Sequence, residues 1–502
     1  MDIFPAFLDF TATYNSGEPQ VVWTELAADL ETPVSAALKL SPESKYVSLL
    51  ESVEGGVTRG RYSFISLRPD IVWRCNSKLA EISRDSTANH KSYVDTGLQP
   101  LDSLRALVDE SRIELPANLP PMAAGLIGYM GYDTVRLVEE IPDNNPDTIG
   151  IPEGLFMRPT IMAIFDDVAD TITIVTPARP HPKTTSDQAY KDAKSRLLYV
   201  IKALNQPLAQ HVFADTDKPY TNLEAVSNVG RAGYHRMVEK AKEYILAGDI
   251  FQVVPSQRLR LPFQHSPFSL YRSLRRLNPS PFLFYLNFEG FSIVGSSPEI
   301  LVRVRDGKVT IRPIAGTRPR GQNKNEDDQY ATELLTDPKE ISEHLMLLDL
   351  GRNDVGRVTQ TGTVEVTEEM LIEHYSHVMH IVSNVQGNIK NDCDAMDALM
   401  AGFPAGTVSG APKVRAMEII DELEPERRSF YAGAIGYLAA NGDLDTCIAL
   451  RTALVKDGEL IVQAGGGVVA ESDPEAEFQE SENKAKAILE AAYQAGRYSS
   501  SD

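Results

Sequence analysis

The sequence predicts an α+β protein built on large, packed antiparallel sheets. Three observations carry that expectation. Pairs of apolar runs broken by short turns recur at 46–69, 158–176, 281–295 and 301–313, in the manner of hairpins. Such hairpins dominate over alternating strand and helix units, which argues against a doubly wound parallel sheet. At 502 residues the chain also has ample material for a large core.

The elements follow in order. Residues 1–20 read as a loosely structured arm, and 23–40 as a strand and a short helix that starts at Pro33. A hairpin over 46–69 carries Leu49, Leu50, Glu51 and Ser52 into a Gly-Gly turn and returns through 61–66, with a further strand at 70–76. A helix over 101–112 leads to the glycine-rich apolar strand within 119–133, where backbones approach closely. The 158–176 hairpin turns at 166–170, and a helix covers 189–204. The polar stretch 211–230 marks the main boundary, dividing 1–225 from 226–502. Beyond it, Tyr234, Met237, Val238, Ala241, Tyr244 and Ile245 form an amphipathic helix closed by Gly248. Strands at 250–260, 281–288, 291–295, 301–305 and 308–313 follow, with a helix at 267–277. After a central helix come strands 362–367 and 374–387, helix 395–400, the loop FPAGTVSGAPK, helix 414–423 and strands 431–438, 444–455 and 459–465.

The central helix, over 337–357, is the stretch with most chemistry in it. Asp337 caps it, Pro338 takes the first position, and Gly351 with Asn353 marks its end. Ile341, Leu345 and Leu348 predict its buried stripe, and Glu340 and Glu343 share another face one turn apart. A second Glu-x-x-Glu, Glu477 and Glu480, opens a helix capped by Ser472 or Asp473 and started by Pro474, with Ala485, Ile488, Leu489 and Ala492 inward. Four carboxylates in one cleft would repel by roughly 4 kcal/mol per unpaired pair at ~4 Å and an effective dielectric of about 20. A cation relieves that repulsion, and oxygen-only ligands favour Mg²⁺. The competing reading is a solvated helix face with partners such as Lys484 four residues from Glu480.

Composition narrows the function. A net charge of −21 and the acidic balance argue against nucleic-acid or anionic-membrane binding, so a small anion would need locally concentrated positive groups. Cys75, Cys393 and Cys447 lie far apart without C-x-x-C spacing, which fits a reducing cytoplasm and no disulfide framework. The acidic N-terminus carries no basic leader pattern, and no run approaches 18 apolar residues.

The motifs GDIFQVVPSQR, SSPEIL, RPIAGTRPRG, KEISEHLMLLDLGRNDVGRV, YSHVMHIVSNVQG, FPAGTVSGAPK, YAGAIGY, DTCIALRT and QAGGGVVAESDPEAEFQESENKA occur in that order. Together they resemble the chorismate-utilising enzymes, within them the large subunits of anthranilate synthases, over about 230–491, with the N-terminal region recognisable in LLESVEGGVTRGRYSFIS. The resemblance implies sheets packed as a sandwich with helices outside. It implies that Glu343 and Glu480 bind Mg²⁺, with Glu340 and Glu477 acting through water. Arg451 would clamp the enolpyruvyl carboxylate of chorismate with the Tyr431 hydroxyl, and the amides of Gly465, Gly466 and Gly467 would approach the same anion. Gly316, Thr317 and Thr407 would line the ring, Glu299 would act as general acid, and His380 would lie beside the reacting ring as acid, base or positioning group.

Two positions discriminate among relatives. Gln252 stands where isochorismate and salicylate synthases carry a lysine that activates water, and Ala315 where aminodeoxychorismate synthases carry a nucleophilic lysine. Both point to ammonia as nucleophile. The alternatives are an aminodeoxychorismate synthase and a non-catalytic amino-acid-binding regulatory subunit. No cysteine has a G-x-C-x-G context, so the resemblance implies a partner glutamine amidotransferase, in a heterotetramer of two large and two small subunits. It also implies feedback inhibition by tryptophan through Ser52, Pro281, Phe282 and Leu283, the last two standing where many relatives have Tyr-Met.

Overall fold

The computed structural model describes residues 2–41, 45–54, 58–85, 90, 92–120, 122–208, 224–375 and 378–498. Its organising feature is a network of 21 strands, hydrogen-bonded neighbour to neighbour. The pairings described are antiparallel, including the long Thr58–Asn76 and Gly154–Asp166 pair and the Val378–Asn388 strand that holds both Ile314–Pro319 and Glu365–His374.

The period-2 alternation of the strands separates three apolar layers. Along Gly154–Asp166, Met162 and Ile164 enter one core with Ile127, Phe284, Ile293 and Ile435, while Ile161, Ala163 and Phe165 face another. The first is the filling between sheets. The second is roofed by helices Phe7–Asn15, Pro33–Leu40, Ser186–Leu204, Pro267–Leu277 and Pro474–Gln494, through residues such as Phe10, Leu197, Leu274 and Ile488. Helices Pro100–Glu110, Pro338–Val358 and Ala395–Gly402 cover a third layer around Trp73, Val302 and Val385. Sheets packed face to face with helices outside are therefore what the chain builds.

Strands distant in sequence are adjacent here. Val47–Glu54 pairs with Phe282–Phe288, and Gly125–Met130 pairs with Ala434–Ala439. Gly125 permits the latter approach, since a Cβ there would lie 2.2 Å from Leu438 O, while Gly128 and Gly436 admit the strands on their other sides, where a Cβ would meet Leu155 O at 1.9 Å and Asp445 O at 2.0 Å.

Several expectations are corrected. The arm contains the Phe7–Asn15 helix, fixed because Phe10 and Tyr14 are buried and Phe10 packs on Tyr190. The polar Lys324–Thr336 helix buries only Leu334 and so lacked a readable stripe. The 250–260 strand breaks: Gln252–Val253 pairs with Gly410–Ala411 in a separate ribbon, and Ser256–Pro262 joins the main sheet. The 444–455 strand breaks likewise, at Arg451, which has φ +47. The central helix runs through Gly351 to Val358, and its buried face is His344, Leu347, Leu348, Gly351, Asp354 and Val355, whereas Leu345 is 43% exposed. Gly351 is an interior contact against Ile311 and Pro313 and ends nothing. The Gly-Gly turn after Ser52 and most of the 211–230 boundary lie outside the described residues.

Candidate active site

The site lies where strand ends, glycine turns and two helix N-termini converge. Glu299 follows the Phe291–Ser297 strand, 5% exposed, and accepts a hydrogen bond of 2.8 Å from Thr407 Oγ1 in the Gly406–Val408 turn. Burial pushes its carboxyl up to about 8, against the pull of the Thr407 hydroxyl, the Ile314 amide, Lys484 and Arg451. At neutral pH it therefore holds a proton. That is the state a general acid requires.

Across from it, a bulge between Ala315 and Thr317 in the pairing with Val378–Asn388 turns Gly316 to φ +74. The bulge brings the Gly316 carbonyl oxygen 3.1 Å and the Thr317 hydroxyl 3.0 Å from His380 Nδ1. An Nδ1–H donated to Gly316 O leaves Nε2 as a proton acceptor. Burial holds the imidazole down at about 4, with the Gly316 hydrogen bond opposing and Arg451 adding to the effect, so the ring is neutral. Tyr375 packs against it at 5.4 Å between centroids.

Arg451, in the kink between Leu444–Ile448 and Thr452–Lys456, has no carboxylate within ion-pair distance among the described residues. Its guanidinium is lowered by burial and feels Tyr375 and Glu299 as its nearest acidic groups. An unpaired buried cation suits a carboxylate ligand. The glycine run supplies the adjoining wall. A Cβ on Gly465 would lie 2.3 Å from Pro255 O, one on Gly466 2.7 Å from Glu477 Oε2, and one on Gly467 2.4 Å from Gln252 Nε2. Glycine is required at 465, where the contact is backbone, while at 466 and 467 it leaves room for the ends of the Glu477 and Gln252 side chains. Gln252 is 3% exposed and its Oε1 has no partner among the described residues. Tyr431 is buried, with its phenol raised by burial and lowered by the Gly465 backbone.

The four glutamates are neighbours without forming a closed cage. Glu343 is raised by burial and then by Glu340 and Glu480. Glu340 pairs with Arg318 at 2.9 Å, Glu480 with Lys484 at 2.7 Å, and Glu477 accepts 2.7 Å from the Ser472 hydroxyl. The Glu480–Lys484 pair of the solvated-face reading is thus present. Among the described residues no three His, Cys, Asp or Glu side chains are grouped as a metal would require. The donor chemistry nevertheless fits Mg²⁺: the set is all oxygen, Glu477 Oε2 is buried without a partner, and Glu343 is crowded by like charge.

The residues assigned to an inhibitor sit apart. Ser52, Pro281, Phe282 and Leu283 line one cavity of about 580 Å³, together with Glu51 and Tyr375. Leu283 faces Glu51 across the Val47–Glu54 pairing, and Arg275 grips the Glu51 carboxylate at 2.6 and 2.8 Å.

Three supporting residues escaped sequence reasoning. Tyr234 accepts from the Gly466 amide at 3.0 Å, and Lys484 donates to Gly465 O at 2.9 Å. Arg428, fully buried, pairs with Glu424 at 2.6 Å while donating to Val408 O and Val254 O, both at 2.6 Å. It therefore joins the segments that carry Thr407 and Gln252. A charged pair in EPERR with i,i+4 spacing was the available signal, indistinguishable in sequence from a surface pair.

Residues 62–490 match the family described as chorismate binding enzyme. The chain belongs to that family of enzymes. It is 54% identical over 494 residues to anthranilate synthase component 1 of Cereibacter sphaeroides, covering 98% of each chain. Among solved structures, anthranilate synthase component I of Streptococcus pneumoniae superposes with TM-score 0.75 at 37% identity, covering 92% of this chain and 98% of that one. The menaquinone-specific isochorismate synthase of Escherichia coli shares the fold, with TM-score 0.71 at 19% identity over 97% and 99% of the two chains.

Proposed function

We propose that the chain is the chorismate-binding large subunit of an anthranilate synthase, a lyase converting chorismate and ammonia to anthranilate and pyruvate. The observation that carries this reading is the buried, protonated Glu299 beside the unpaired Arg451, with a neutral Gln252 in place of a base. Arg451 binds the enolpyruvyl carboxylate, aided by the Tyr431 hydroxyl and the 465–467 amides. Gly316, Thr317 and Thr407 position the ring. Ammonia forms a bond to C2 while the C4 hydroxyl departs as water, taking the Glu299 proton. Neutral His380 offers Nε2 as an acceptor for the C2 proton as pyruvate leaves and the ring aromatises. Mg²⁺ bound by Glu343 and Glu480, with Glu340 and Glu477 through water, would neutralise the ring carboxylate and act as a Lewis acid.

Gln252 and Ala315 favour ammonia over activated water or a covalent ring adduct, which speaks against the aminodeoxychorismate reading. Ammonia would come from a glutamine amidotransferase subunit, the counterpart that the name "component 1" of the relatives implies. The 580 Å³ cavity has the apolar walls and the Ser52 hydroxyl that tryptophan would need, and residues 1–225 would supply part of this regulatory region.

The test is direct. Purified chain with chorismate, Mg²⁺ and ammonium should develop anthranilate fluorescence, and Glu343→Gln or Arg451→Ala should reduce turnover by more than 100-fold with melting unchanged. Undiminished anthranilate formation by either variant would refute the assignment.

A further inference from the structure

A second cavity, of about 1290 Å³, opens in the N-terminal half, away from every residue placed in the catalytic cleft. Six Lys and Arg side chains line it against three acidic ones, although the chain as a whole carries −21. Arg158 is spoken for, held by Asp70 at 2.8 Å and Glu110 at 3.0 Å. Arg179 and Arg196 are different. Arg179 donates only to the Ser111 carbonyl, at 3.2 Å, and its Nε is buried without a partner among the described residues. Arg196 donates to Thr176 Oγ1 at 2.6 Å and to Pro177 O at 3.1 Å. Neither has a carboxylate in ion-pair distance among the described residues. Burial lowers both guanidiniums; at Arg179 the charge of Arg158 adds to the effect, Asp70 and Glu110 oppose it and Arg196 adds again, while at Arg196 Asp192 and Asp70 oppose it.

Half-buried like charges whose direct contacts are neutral oxygens, with carboxylates only beyond ion-pair distance, favour a negative ligand that completes them. Arg68, at the same wall, lies over the Tyr199 ring at 3.6 Å and also has no acidic partner within ion-pair distance among the described residues. The geometry points to a binding site for a small organic anion, one bearing a phosphate or paired carboxylates, seated on Arg179 and Arg196. The site takes a ligand distinct from the catalytic substrate and is independent of the reading given for the catalytic cleft. Guanidinium forks match both oxyanion types, so the two sources share one chemistry.

Calorimetric titration of the full chain, in low salt without Mg²⁺, would use inorganic pyrophosphate in one arm and citrate in the other. One saturable site is expected, with the tighter arm naming the phosphate or carboxylate class, and affinity should fall as salt rises. The paired change Arg179→Gln with Arg196→Gln should weaken binding at least ten-fold. Ser195→Glu, at an exposed position on the cavity wall, should do the same without disturbing the core. Arg451→Ala should leave it unchanged. Absence of saturable binding in both arms, binding that survives in the charge-altered variants, or binding lost in Arg451→Ala would each overturn the assignment.

Discussion

At the scale of single residues, the proposed reaction turns on the proton of Glu299. Its folded carboxyl titrates near 8 against 4.5 ordinarily, so turnover should fall as pH rises through about 8. Free ammonia increases over the same range, so the ammonium-dependent rate should pass through a maximum; a rate that climbs without limit would assign the acid elsewhere. The sign for stability follows from the same shift. A carboxyl raised on folding contributes stability below about 4.5 that is lost as pH rises through about 8. Glu299→Gln should therefore gain in melting temperature on the parent protein across that window while losing turnover. Arg428 offers a contrasting case. Removing it strands Glu424, 4% exposed, and Arg428→Ala should cost about 3–5 kcal/mol in denaturant unfolding.

At the scale of elements, glycine turns set the spacing between parts of the cleft. Gly410 has φ +139, and a Cβ there would lie 2.2 Å from Gln252 O, across the two-residue ribbon that presents Gln252. Gly410→Ala should cost about 1–3 kcal/mol and raise the apparent KM for ammonium more than that for chorismate. Steady-state kinetics in both substrates would check the split. The cap at Asp337 was legible, and the second was narrowed to Ser472 or Asp473, of which Asp473 caps, because proline at the first turn and a capping residue before it have a local cause. The buried face of the central helix was not. Three leucine-like residues fitted one stripe, yet the stripe with His344 and Gly351 faces the sheet, since a small residue and a hydrogen-bonded histidine fit a close approach that bulk alone does not reveal. The four residues proposed for an inhibitor share one cavity because Ser52 and Leu283 lie on paired strands, a long-range proximity that only the resemblance supplied. Tyr375 lines that cavity and packs edge-on against His380, so a ligand proposed there would have a short route to the catalytic ring.

At the scale of the whole molecule, the fold class was readable from hairpin spacing, while the joining of distant strands into one network was not, because pairing partners leave no mark on local pattern. None of the three cysteines is placed for amide hydrolysis: Cys75 and Cys447 are buried, which raises both thiols, and the half-exposed Cys393 is raised by burial and by the charges of Asp392, Asp397 and Asp394 around it. The isolated chain should therefore form anthranilate from ammonium salts and not from glutamine, and addition of an amidotransferase partner should restore glutamine use. Exhaustive chelation should stop the ammonium reaction, with Mg²⁺ restoring it; turnover that persists without metal would remove Glu343 and Glu480 from the mechanism.

The Val47–Glu54 strand is hydrogen-bonded directly to Phe282–Phe288, in the half that carries the catalytic residues. Cutting away the first fifty-four residues would leave that neighbour with a bare edge, open to aggregation. If the cavity holds the proposed inhibitor, inhibitor-resistant variants should thus arise by point substitution around Ser52 or Leu283, and truncation should yield insoluble protein in their place.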